Sequence, residues 1–239
     1  MEPAAVVTHV SVLDRGRELS GVVRSSESWF GAATRICASL HATPTPLDLS
    51  GEVKRFVLDH DVVVAVRAMT HGDLPDVTRW RQSEHVARWW TGAGEPTAEG
   101  VAAAYGPCID GLTPTRMWVV EINGRSVGFL QDYRIGDHPE FALLGPDPEA
   151  IGVDYAIGDQ AWVGRGLGAH VLWAWMLRAH HRFPDATSFF AAPDHRNAAS
   201  LRVLAKAGFH QGVWFDAPQP DGSVATVVGC TLDVPTVLA

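Results

Sequence analysis

From about residue 62 onward the sequence predicts an α+β fold. Three observations carry that expectation. Apolar residues recur at helical spacing in some segments and alternate in others, so both kinds of element are present. An Asn123-Gly124 pair separates two strand-like runs, and this dipeptide is the commonest signal for a two-residue hairpin. A third strand-like run, Gly152–Ile157, leads through Val163-Gly-Arg-Gly-Leu-Gly168 directly into the apolar stretch Ala169–Leu177, giving strand, glycine turn and helix in succession.

The elements follow in order. Val62–Ala68 alternates weakly and reads as a first strand. Thr70 is placed to cap a helix, with Asp73 in the capping-box position, and that helix is expected to run to about Trp89. Thr97 opens a second helix, Ala98 to about Ile109. Met117–Ile122 and Ser126–Ile135 are the hairpin strands, and the prolines at 139, 146 and 148 make Gly136–Ala150 a loop. After the strand Gly152–Ile157 comes a helix over Gly166–His181. Thr187–Ala192 is then a short buried strand, broken by Pro193. Asn197 caps a helix over Ala198–Ala207, Gly208 ends it, and Phe209 begins a new strand.

Residues 1–60 stand apart from this pattern. Val6–Leu13 reads as a strand, Glu27–Leu40 as a helix and Thr43-Pro-Thr-Pro46 as a linker. So short a segment makes a poor separate core. It is expected to be an N-terminal extension, packed on the domain of residues 61–239 or on a second subunit, with no role assigned.

The glycine turn points to a phosphorylated ligand. Glycines let the backbone approach an anion, and the first free N–H groups of the following helix point at it with the positive end of the helix dipole behind them. A P-loop would need Lys-Ser or Lys-Thr where the chain has Gly168-Ala169, and the glycines at 164, 166 and 168 do not fit the dinucleotide spacing. The chain instead resembles the GCN5-related N-acetyltransferase (GNAT) family, whose turn reads (Arg/Gln)-x-x-Gly-x-(Gly/Ala). Val163 stands where the family usually has Arg or Gln. The segment Asn197-x-x-Ser200 to Lys206-Ala-Gly208-Phe209 matches the family's last helix closely.

This resemblance covers about residues 62–232. It implies a three-layer α/β arrangement, with a mixed, mostly antiparallel central sheet of about seven strands flanked by helices. It also implies acetyl-coenzyme A as co-substrate, bound by Ala156, Ile157, Val163, Gly164, Arg165, Gly166, Leu167, Gly168, Asn197 and Lys206. Many members carry a Tyr in that helix to protonate the leaving thiolate. The corresponding residue here is Leu204, and His195 and Tyr155 stand as alternative donors.

A narrower likeness follows. Gly152-Val-Asp154 with the glycine turn, His85-Val-Ala-Arg-Trp-Trp90 and Gly128–Tyr133 are similar to the aminoglycoside 6′-N-acetyltransferases. Asp154 would then be the base or amine-orienting carboxylate. Alternation places it on the strand face opposite Val153, Tyr155 and Ile157. Backbone N–H groups at Ala156 or beyond would serve the oxyanion. The likeness puts Trp90 and Tyr105 along a sugar groove, with Gln131, Asp137 and Glu140 as further acceptor contacts. The group carries an acid where this chain has Ala192, which leaves one acceptor contact either missing or moved to Asp194. Two alternatives stand beside this reading. One is a (hydroxy)lysine N-acyltransferase of siderophore biosynthesis, suggested by Pro193-Asp-His-Arg-Asn197 and the N-terminal extension. That group commonly has His in place of Asp154. The other is an acyl-coenzyme A sensor without turnover.

Composition narrows the classes. A chain of 239 residues, 46% of them apolar, is long enough for one large or two small domains. A net charge of −8 argues against nucleic acid. No apolar run approaches the roughly 18 residues of a membrane helix, and the start has no signal-peptide pattern. Cys37, Cys108 and Cys230 are odd in number and far apart, which fits a reducing cytoplasm. The 11 histidines form no supported ligand set, so no metal is expected. Charge is segregated: Asp132, Asp137, Glu140, Asp147, Glu149, Asp154 and Asp159 precede a stretch holding Arg165, Arg178, Arg182, Arg196, Arg202 and Lys206. Such a split suits a cationic small-molecule amine facing a polyanionic co-substrate, in a monomer or homodimer.

Overall fold

The computed structural model describes residues 7–138, 147–218 and 222–239. Two sheets enclose one long helix. The first sheet comprises β1 (His9–Asp14), β2 (Arg17–Val22), β3 (Thr45–Asp48) and β4 (Val53–Leu58), ordered β2-β1-β4-β3. Strands β1 and β4 are parallel, and α1 (Trp29–Ile36) lies in the crossover between them. The segment read as a linker is therefore partly strand. Pro46 pairs with Phe56 at the edge of the sheet, the position where a missing N–H is tolerated.

The second sheet holds seven strands, β5 (Val64–Ala68), β6 (Arg116–Ile122), β7 (Arg125–Arg134), β8 (Ile151–Ile157), β9 (Ser188–Ala191), β10 (His210–Pro218) and β11 (Val224–Asp233). Their order is β10-β11-β9-β8-β7-β6-β5, and every neighbouring pair is antiparallel except β8 and β9. The mixed, mostly antiparallel sheet expected from sequence is present. At its hairpin, Asn123 and Gly124 have φ of 51° and 75°, the pair of positive values that a type I′ turn requires.

The helices are α2 (Leu74–Gln82), α3 (Glu84–Ala87), α4 (Ala98–Ile109), α5 (Gly168–Arg182), α6 (Ala198–Lys206) and the terminal turn α7 (Val234–Val237). Thr70 and Asp73 form the capping box, and Thr97 caps α4 through the Gly100 N–H. The helix expected to reach Trp89 breaks at Ser83, whose ψ is 136°. Two side chains explain the break. The Ser83 hydroxyl donates to the Trp80 carbonyl, which a continuing helix would need for its own ladder. Arg81 turns inward and donates to the carbonyls of Gly92, Ala93 and Gly94, drawing the following chain beneath α2.

Helix α5 is apolar on nearly every side, with Val171, Leu172, Trp173, Trp175 and Met176 buried, as a helix between two sheets must be. One side packs on β5 and the other on β3. Trp173 meets Phe30 and Phe56 edge-on, at 5.3 and 5.9 Å, and its indole donates to the Pro44 carbonyl. The Leu49 N–H donates to the carbonyl of Lys206 at the end of α6. Residues 9–58 thus form the outer wall of a core shared with the seven-stranded sheet.

Candidate active site

The site is built on a fork in the second sheet. Strands β8 and β9 pair only through Ile151 with Phe189 and Gly152 with Phe190, then separate. Residues 153–157 keep their antiparallel partner β7 on one side and, among the described residues, have no strand on the other. Two cavities follow the opening. One, of about 290 Å³, is lined by Asp154, Tyr155, Trp89, Trp90, Asp194 and Arg196, among others. The second, of about 500 Å³, is lined by Ala156, Ile157, the glycine turn and α6. Arg88, Trp89, Trp90, Tyr155, Asn197 and Ser200 belong to both walls, so the cavities adjoin.

In the larger cavity, Gly164 and Gly166 have φ of 78° and 77°, and a β-carbon at either would meet no atom within 4 Å. These glycines are needed for their left-handed backbone, and they face open space. Leu167 precedes α5 without a side-chain cap, which leaves first-turn N–H groups for a ligand. Val163, Leu167, Gly168, Asn197 and Lys206 also lie in this wall. Asn197 caps α6 by accepting from the Ser200 N–H at 3.1 Å.

Arg165 departs from expectation. Its guanidinium lies over the Trp162 ring, 5.0 Å from the centroid, and is not part of the cavity wall. The arginines and lysine in that wall are Arg88, Arg202 and Lys206. Arg202 was missed as a site residue, although its place four residues before Lys206 puts both on one face of α6. His85 was missed as well: its Nε2 lies 2.9 Å from the carbonyl of Ile157, at the end of the open strand.

Asp154 sits at the centre of β8, paired across the sheet with Gln131. Gln131 Nε2 and the Tyr133 hydroxyl both donate to Asp154 Oδ2, at 2.9 and 3.2 Å. Tyr133 reaches it because residue 152 is glycine, since a β-carbon there would come within 2.6 Å of the tyrosine ring. Burial raises the Asp154 pKa, outweighing the two donors, which act to lower it. The side chain is a carboxylate whose proton affinity exceeds that of an ordinary aspartate.

The other acceptor-site expectations divide. Trp90 lines both cavities. Tyr105 does not, being only 1% exposed; its hydroxyl accepts from the Trp90 indole at 2.9 Å, and burial pushes its pKa up to about 12. It bonds to Trp90 and lines neither of these two cavities. Gln131 likewise serves Asp154 and lies in neither wall. Asp137 is exposed in the short helical turn Ile135–Asp137 and lines neither cavity, and Glu140 lies outside the described residues. Asp194 does line the smaller cavity, but Arg196 grips both of its oxygens, at 2.9 and 2.7 Å, and holds its pKa low.

The expected acidic wall also resolves differently. Asp132 is buried beneath the sheet, accepting from the indoles of Trp118 and Trp175 at 2.9 and 3.0 Å. Asp159 caps a turn through the Ala161 N–H, and Glu149 pairs with Arg134. Of that acidic run, Asp154 alone among the described residues reaches a cavity. Arg178 and Arg182 lie over Trp118, so they too leave the site. Among the described residues, no His, Cys, Asp and Glu group is arranged to hold a metal, and no helix is long and apolar enough to cross a membrane.

Comparison with known proteins gives the family and the fold. Residues 70–217 match the family model described as "Acetyltransferase (GNAT) domain". Aminoglycoside N(6′)-acetyltransferase type 1 of Klebsiella pneumoniae is 27% identical over 168 residues, covering 69% of this chain and 82% of the relative. The protein of the same name from Serratia marcescens gives the same values. A solved structure of AAC(6′)-Ib with paromomycin and acetyl-coenzyme A superposes with a TM-score of 0.62 at 25% identity, over 71% of this chain and 93% of that one. An uncharacterized protein from Bacillus halodurans shares the fold, with a TM-score of 0.59 at 22% identity, over 73% of this chain and 87% of its own.

Proposed function

The chain belongs to the GNAT acetyltransferase family, and from that premise we propose that it transfers acetyl from acetyl-coenzyme A to a primary amine of a cationic small molecule, the 6′-amino group of an aminoglycoside. The observation that carries the reading is Asp154, whose raised proton affinity is displayed in a cavity adjoining the glycine-turn cavity.

The residues fit the co-substrate. Gly164, Gly166 and the uncapped start of α5 offer backbone N–H groups to a pyrophosphate, with Arg202 and Lys206 beside them. The open edge of β8 offers backbone groups to an amide-bearing arm. When bound, the co-substrate supplies an activated acetyl group.

The chain's own residues do the rest. At neutral pH an alkyl ammonium is almost wholly protonated and cannot attack. Asp154 attracts it, takes a proton from it and leaves the neutral amine facing the second cavity. Gln131 and Tyr133 fix the carboxylate through one oxygen. Backbone N–H groups of the unpaired edge beyond Asp154 stabilise the carbonyl oxygen as it gains charge. Trp89 and Trp90 supply flat apolar walls for a sugar ring.

A second reading has its own support. Arg88 lines the smaller cavity, and a cation in that wall favours an acceptor that also carries a carboxylate, such as a hydroxylated lysine. Thiol release from acetyl-coenzyme A, measured with kanamycin-type aminoglycosides, polyamines and hydroxylated lysines, decides between them. Release with the aminoglycosides supports the first reading. Release with hydroxylysine alone replaces it with the second, and release with none overturns acetyl transfer to these amines.

A further inference from the structure

Transfer from a thioester leaves a thiolate that must gain a proton, and the helix position associated with that role holds Leu204, which is 1% exposed in the core. We infer that Tyr155, from strand β8, is the group that protonates the departing sulfur. The inference rests on the acetyl-transfer reading above.

Position carries it. Tyr155 follows Asp154 directly and projects from the other face of β8, toward α6. Its hydroxyl lies 2.9 Å from Ser200 Oγ in the first turn of α6. Both residues belong to the walls of both cavities, so the phenol stands where the amine side and the coenzyme side meet. The alternative, His195, is turned elsewhere: its Nδ1 lies 3.0 Å from the Thr226 carbonyl, its ring packs on Trp214, and it lines neither cavity. Burial raises the Tyr155 pKa, so the group enters the reaction as a phenol.

The protons balance. Asp154 takes one proton from the ammonium and passes it to water. As the amine forms the C–N bond and the C–S electron pair settles on sulfur, Tyr155 gives its phenolic proton to that sulfur. Its oxygen then takes the excess proton of the new amide nitrogen, relayed by the Ser200 hydroxyl. The products are the amide, the free thiol and one proton in solution.

The chain has only 3 tyrosines, which makes the test direct. With ring-carbon-labelled tyrosine, three signals are followed by NMR, and Y155F identifies the one of interest. That signal should move on adding coenzyme A and stay in place with the desulfo analogue. In turnover, Y155F should lose on the order of 10²-fold in kcat with acetyl-coenzyme A, while calorimetry shows unchanged coenzyme affinity. The loss should shrink with the acetyl selenoester, whose selenolate departs without a proton. S200A, which keeps the phenol but removes its relay, should show a smaller loss of the same donor dependence. Equal movement of the signal with the desulfo analogue, wild-type kcat in Y155F, or equal losses with both donors would each overturn the assignment. A wild-type protein that acetylates no amine would overturn the acetyl-transfer reading, and this assignment with it.

Discussion

At the scale of single residues, Asp154 combines chemistry with a cost to stability. Replacing it with Asn should lower kcat by about 10²- to 10⁴-fold, the usual range for a lost general base, while coenzyme affinity measured by calorimetry is retained. Because burial raises its pKa, the carboxylate form that the proposed mechanism uses disappears at a higher pH than for an exposed aspartate, and wild-type rates should fall there as pH is lowered. The same shift has a sign for stability. A folded-state pKa above the unfolded one favours the fold at low pH, and that contribution is lost as pH rises through the folded value. The Asn variant should therefore melt at a higher temperature than wild type near neutrality, the gap closing toward acid pH; a lower melting temperature at pH 7 would contradict it. Asp154 stood out in the sequence by its place in the middle of the strand that leads to the glycine turn. Sequence position could not reveal that Gln131 and Tyr105 commit their polar groups to Asp154 and Trp90, because those bonds depend on register and packing between distant segments.

At the scale of elements, the turn before α5 and the helix itself answer to different forces. Gly164→Ala and Gly166→Ala each place a side chain at positive φ, at a cost of about 1–2 kcal/mol. Since neither β-carbon would clash, the cost should appear as weaker coenzyme binding in titration calorimetry. Trp173→Ala empties a core site shared by α5 and the first sheet and should lower unfolding free energy by about 3–5 kcal/mol, read as a reduced denaturant midpoint with unchanged slope. Caps and the hairpin turn were legible because they are local: Thr70, Thr97, Asn123 and Asn197 all sit where their chemistry demands. The break at Ser83 was hidden, since it depends on Arg81 reaching carbonyls more than ten residues away. The strand at Thr45–Asp48 was hidden for a similar reason, because prolines read as a linker until an edge position is known.

At the scale of the whole molecule, the N-terminal sheet and the catalytic sheet share one core across α5. The intact chain should unfold in a single calorimetric transition. A chain beginning near Val62 would leave Trp173 and its neighbours uncovered and should aggregate; a soluble, cooperatively folded product would show that the first sheet is dispensable. Saturating coenzyme, at 100 times its Kd, should add about 2.7 kcal/mol to stability, seen as a raised melting temperature.

The gap between β8 and β9 has a broader consequence. A sheet that parts after two residue pairs leaves residues 153–157 with no second neighbouring strand among the described residues, and His85 reaches the last carbonyl of that edge. On the proposed reading, a guest bearing amides of its own would slot in like a borrowed strand and extend the sheet while it is bound. Each turnover ends by returning that strand, and the pace of the return then becomes a property of the scaffold as much as of the chemistry.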